Sequence, residues 1–196
     1  MPTIERCAAL LWVLWMCACA PPPSSRSVSV AGASFAAAEP FACMEVTAVR
    51  LDHTPPELIS ALRDCLEHDE IERAGRLLFA FYAFAFYDVE RVRDQTAHQV
   101  VTAMMADLLD GLPEARKAAF VEHIFAFTSG GWPADLYRDF AALGPPRYAP
   151  DYMIAHGMDA ILGTVDPRPP AGFDPAAAWR RVLAEKTLCA ERTGVE

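Results

Sequence analysis

Arg91, Asp94, Gln95 and His98 recur at i, i+3, i+4 and i+7, a spacing that would put all four on one face of a helix. A carboxylate four residues before an imidazole can orient the ring or share a metal ion with it. Two ligands do not hold a metal, however, and neither HExxH nor a zinc-type Cys/His spacing accompanies them, so no metal and no cofactor is expected. The simpler reading of the stripe is a solvated face or a buried hydrogen bond between helices.

A second concentration of chemistry lies in GPPRYAPDYMIAHGM, Gly144 to Met158. Prolines stiffen the approach, and Tyr148, Tyr152 and His156 would serve as donors or general acid/base groups. Gly157 would admit another part of the chain at close range. The favoured reading is structural: a tightly packed helix start with His156 in the core. A third candidate is the aromatic run Leu77 to Tyr87, LLFAFYAFAFY, which has no polar face. Such a segment reads as a central helix covered on every side. A protein this small has difficulty covering one completely, so a face carrying Phe79, Tyr82 and Phe86 is a candidate groove for a peptide or lipid. His53, His68 and His123 read as surface residues or caps. No GxSxG, GxGxxG or GxxxxGK[ST] is present, and no catalytic residue is assigned.

The elements that must position these groups are all helical. Thr54-Pro55-Pro56-Glu57 is a capping box with Pro at the first helical position, and Leu58, Ile59, Leu62, Cys65 and Leu66 form one apolar stripe behind it. His68-Asp69 turns the chain, with Asp69 as the next cap. The second helix runs to about Tyr87, and Asp88 caps a long third helix reaching Leu109. Asp110-Gly111-Leu112-Pro113 separates this from a fourth helix that ends near Thr128. Pro133 and Pro150 open a fifth and a sixth, and Asp174-Pro175 opens a last helix reaching about Ala190. The expected fold is all-α, a compact bundle of about six to seven helices. Ala61-Leu62, followed by Ala74 after a tight turn, resembles one unit of a tetratricopeptide-type helical hairpin. No second copy recurs at a fixed period.

The N-terminus predicts a route. Cys7 to Ala20 is an unbroken apolar run of 14 residues, shorter than the ~20 that span a bilayer, and Pro21-Pro22-Pro23 stops it. This is the form of a secretory signal. Cutting after Ala20 would leave Pro21 next to the scissile bond, a poor substrate. Met16-Cys17-Ala18-Cys19 resembles instead the lipobox of bacterial lipoproteins, with Met16 where Leu is usual. The resemblance implies lipidation of Cys19 and a firm anchor by several acyl chains. The expected organisation is a signal peptide over 1–18, a flexible Ser/Ala/Pro-rich tether over 19–45 and a single helical domain over 46–196. About 20 tether residues give a reach of roughly 25 Å.

That route reduces six cysteines to three. Cys7 and Cys17 leave with the signal, and Cys19 goes to lipid. Of Cys43, Cys65 and Cys189, the latter two lie on apolar helical stripes, so a Cys65–Cys189 bridge in the oxidising periplasm is expected. It would close about 125 residues.

Composition narrows the function. The 196 residues are 53% hydrophobic and 22% charged with a net charge of −9. No basic run exists for phosphate, so nucleic acid is not an expected partner. Contact with a membrane is expected through the anchor alone. The leading expectation is a membrane-tethered periplasmic binding protein with a protein partner, for instance an inhibitor or immunity protein. The alternatives are a small periplasmic enzyme using His98 with Asp94, or His156, and an envelope assembly lipoprotein.

Overall fold

Glu57 closes the start of the first helix. Its carboxylate accepts the Thr54 N–H at 2.6 Å, and Pro55 stands at the first helical position, where its missing N–H costs nothing. The computed structural model describes residues 40–186, and these are all-helical. Eight α-helices and no strand occur among them: α1 (Pro55–Glu67), α2 (Ile71–Arg91), α3 (Val100–Asp110), α4 (Glu114–Thr128), α5 (Ala134–Leu143), α6 (Asp151–Ile154), α7 (Met158–Leu162) and α8 (Pro175–Arg181). Single 3-10 turns at Val46–Ala48 and Gln95–Gln99 and a π turn at Val182–Lys186 complete the set. None of the helices among the described residues is long and apolar enough to cross a membrane. The apolar N-terminal run, Cys19 and Cys189 lie outside the described residues.

The expected α1–α2 hairpin forms. Asp69 takes a left-handed conformation (φ 60°), which an Asp tolerates better than most side chains, and the turn closes with the Glu70 N–H on Cys65 O at 2.8 Å. Asp69 is therefore the turn residue, and Glu70 takes the capping position. Before α1, the chain from Phe41 onward is already pinned. The Phe41 N–H donates to Ser60 Oγ, the Cys43 N–H to Asp64 Oδ2, and Phe41, Cys43 and Met44 pack against the core. Cys65 is disulfide-bonded to Cys43, not to Cys189. The apolar stripe on α1 was the wrong guide: Cys43 needs no helix of its own to reach Cys65, because its backbone is held on α1 by Asp64.

α2 is the central rod. Phe79, Phe81 and Phe84 are fully buried, as are the alanines between them. The aromatic residues of α5 and α8 close over this surface. Phe79 makes edge-to-face contacts with Trp132, Tyr137 and Phe140, and Trp179 packs on Phe84 and Tyr87 while its Nε1 donates to Phe140 O. α8 starts as read, with Asp174 Oδ1 accepting the Ala177 N–H and Pro175 behind it, and Trp179, Val182 and Leu183 are buried.

Two expected boundaries fail. α2 does not stop at Tyr87; it continues to Arg91, and Asp88 sits buried inside it. The long third helix is broken in two, because the chain turns extended at Val92 and re-enters through the 3-10 turn. The sixth helix also divides, into α6 and α7.

Candidate functional site

The three constellations separate once the helices are in place. The break after Arg91 dissolves the expected stripe of Arg91, Asp94, Gln95 and His98. Asp94 becomes a double cap instead. Its Oδ1 accepts the Thr96 N–H at 2.9 Å, and its Oδ2 accepts the Asp159 N–H at 2.9 Å, at the start of α7. The Thr96 hydroxyl also donates to Oδ1, and this bond first, then the backbone ones, holds the Asp94 carboxyl below its ordinary range. The expected close approach at Gly157 is real, and its author is Asp94: a Cβ on Gly157 would lie 2.2 Å from Asp94 Oδ2. His98 turns elsewhere, with Nε2 against Val92 O at 2.9 Å. No oriented carboxylate–imidazole pair results.

Arg91 instead joins a buried hub around Asp88. Asp88 Oδ2 accepts the hydroxyls of Tyr148 (2.8 Å) and Tyr152 (2.9 Å), and Oδ1 accepts Arg91 Nε (2.8 Å). Arg91 Nη1 also donates to Tyr148 O, and the guanidinium stands over the rings of Tyr87 and Tyr148. Burial pushes the Asp88 carboxyl up to about 6, against the pull of Arg91 and the two phenols. Burial, and then the Asp88 charge, holds both phenols well above their ordinary value. These groups are turned on one another, so the hub's work is to fasten the 144–152 segment to the end of α2. His156 is not part of it; its Nδ1 faces Tyr152 O at 2.5 Å. Among the other histidines, His68 is exposed, but His53 is buried (4% exposed) and accepts the Arg50 N–H at Nδ1. His123 is half-buried and stacked on Phe127. Among the described residues no group of three His, Cys, Asp or Glu is placed to hold a metal.

The aromatic helix supplies the site. Phe79 is not on it, because the α5 aromatics cover that ring. One stripe of α2, buried Leu78 with partly open Tyr82, Phe86 and Val89, floors a groove of ≈ 920 Å³. Tyr82 and Phe86 stack nearly parallel (centroids 5.4 Å apart, 10° between planes). Val101, Met105 and Leu109 of α3 form one wall, and Val121, Ile124 and Phe125 of α4 the other. Trp132 and His98 also line the groove.

The gap has a packing cause. α3 is drawn toward α1, where Arg63 donates to Asp107 and its guanidinium lies against Gly111. α4 is held at the start of α2, where Arg116 donates to Asp69 and His123 approaches Gly75 so closely that a Cβ there would be 2.9 Å from Nε2. The two helices lean on different partners, and the α2 surface between them stays open. α4 consequently buries only Phe120 fully and leaves Phe125 74% exposed. A second exposed apolar surface, Met158, Ile161, Leu162 and Val165, follows α6, and the Met158 N–H is held by Thr96 two residues from His98.

The groove is chemically simple. Among the described residues no Asp, Glu, Lys or Arg lines it. Two of its hydroxyls are committed to helix backbone, Thr128 to Ile124 O and Ser129 to Ala126 O. It offers apolar area and little directional bonding. The α3 and α4 walls were missed in the sequence; the signal was in α4, where Val121, Ile124, Phe125 and Phe127 point to more faces than a short helix can bury. Comparison with protein families, with characterised proteins and with solved structures finds no match.

Proposed function

We propose that this is a membrane-tethered periplasmic binding protein, an inhibitor or immunity protein that holds a segment of another protein in the α2–α3–α4 groove. The observation that carries the reading is the groove with Phe125 at its lip, 74% exposed. A contiguous apolar surface in water is a standing cost that docking removes, and burying one such ring contributes about 1.5–3 kcal/mol. Export and tethering rest on the Cys7–Ala20 run and the lipobox-like Met16-Cys17-Ala18-Cys19.

The test uses the full chain, tagged and recovered from an envelope extract. Wild type should retain one stoichiometric partner, and Phe125→Asp should lose it while keeping its helical circular dichroism. Recovery of no partner counts against a binding role. Cys19→Ala should abolish acyl labelling; labelling that persists sinks the lipid anchor.

A further inference from the structure

From the charge around the groove we infer that its occupant is a cationic amphipathic helix: an apolar face to fill the trench and Lys or Arg along its flanks. The inference rests on the binding role proposed above and adds the chemistry of the partner. The trench is built from helical stripes, Leu78 to Val89 on its floor, and so is about 17 Å long, or three turns of a docked helix. Among the described residues its lining holds no Asp, Glu, Lys or Arg, so whatever lies at the bottom is apolar.

The banks decide the sign. α3 carries Asp110, and Asp107 that Arg63 of α1 already engages, and no Lys or Arg. Beyond Lys117, α4 carries Glu122 and no Lys or Arg. The two cations at the start of α4 are already engaged, Arg116 with Asp69 and Lys117 with Glu114. Asp110 and Glu122 are exposed, one on each wall helix. A fatty acid or an anionic lipid would bring a carboxylate or phosphate to a trench where no described Lys or Arg receives it. A basic flank meets complementary charge on both sides, which speeds encounter and rejects acidic competitors.

The test uses two synthetic amphipathic helical peptides with the same Leu face, one with Lys and one with Glu on the polar face. Binding to the full chain is read by fluorescence anisotropy at low and physiological salt. The Lys peptide should bind about tenfold tighter or better, with the preference shrinking as salt rises. Asp110→Lys combined with Glu122→Lys should remove the preference, and Phe125→Asp should weaken both peptides while leaving the helical signal intact. Equal binding of the two peptides overturns the cationic partner and leaves the groove as a protein site. Lys-peptide binding undiminished by Phe125→Asp places it elsewhere on the acidic surface and overturns the assignment. Palmitate or phosphatidylglycerol vesicles competing with the Lys peptide, or binding in its place, overturn it in favour of a lipid. If neither peptide binds and Phe125→Asp leaves envelope capture unchanged, the groove-binding role itself fails.

Discussion

Asp88 Oδ2 accepts the hydroxyl of Tyr148 at 2.8 Å across 60 residues of chain, and this contact fixes the rigid 144–152 segment to the end of the central helix. Asp88 is fully buried and Arg91 12% exposed along its side chain, so truncation to Ala strands two phenols and a guanidinium at once. Asp88→Ala should cost about 3–5 kcal/mol. Asp88→Asn should cost clearly less, because the amide oxygen still accepts the phenols and Arg91 keeps its bond to Tyr148 O. Denaturant unfolding at pH 7 ranks the two; an Asn variant as weak as the Ala variant would contradict this account of the hub.

Wild type and Asp88→Asn together give a pH dependence with a definite sign. The folded Asp88 carboxyl is raised to about 6 from an ordinary 3.8. Between those values the folded protein holds a proton that the unfolded chain has released. The resulting stabilisation is complete below about 4 and is lost as pH rises through about 6. Asp94 and Asp135, whose carboxyls are lowered by hydrogen bonds and by Arg76 respectively, act with the opposite slope at lower pH and cancel in the comparison. Wild type should therefore lose roughly 2–3 kcal/mol relative to Asp88→Asn from pH 4 to pH 7. A stability difference that is flat across that window rules out the raised carboxyl.

Much of the fold was legible because capping is local. Thr54-Pro55-Pro56-Glu57 and Asp174-Pro175 each announce a helix start with their own side chains, and both starts are where the residues say. Asp88 misled for the same reason. An Asp after an aromatic run looks like a cap, and only its distant partners, Tyr148 and Tyr152, show that it is the acceptor of a tertiary hub. The Asp94–His98 pair failed through backbone geometry, since i and i+4 meet only if the helix continues. Phe79, Tyr82 and Phe86 share a helical face, but which part of that face is covered depends on where α5 lands, and no local pattern contains that.

The Cys43–Cys65 bridge spans a sequence separation of 22, and a loop of that length contributes about 3 kcal/mol through the restricted unfolded chain. Cys43→Ser should cost about that amount under oxidising conditions and nothing further after reduction. Cys189→Ser should leave the Cys43–Cys65 linkage intact. Peptide mapping without reductant should find Cys43 linked to Cys65; a fragment linking Cys65 to Cys189 would refute the pairing.

Gly157 is required by a side chain on another element. Asp94→Ala removes the acceptor at two helical starts and should cost roughly 1–2 kcal/mol. Gly157→Ala drives a methyl into Asp94 Oδ2 and should cost about 1–3 kcal/mol. Because the second acts through the first, the double variant should cost less than the sum. Additive costs would mean that Gly157 is needed for some reason other than Asp94.

Phe79 and Phe125 are the same residue type on neighbouring helices, and they separate stability from capture. Phe79 is fully buried against Trp132, Tyr137 and Phe140. Its replacement by Ala leaves a cavity at the middle of α2 and should cost about 3–5 kcal/mol. Phe125 is 74% exposed and contributes little to the folded state, so Phe125→Ala should change unfolding by no more than about 0.5 kcal/mol. Its effect should fall on partner retention instead, since a ring at the lip of the groove gains its burial only when the groove is filled. Thermal unfolding and envelope capture, measured on the same two variants, read both quantities. A Phe125→Ala protein that unfolds early would mean that the ring is part of the core, and the groove would lose the observation on which the binding role stands.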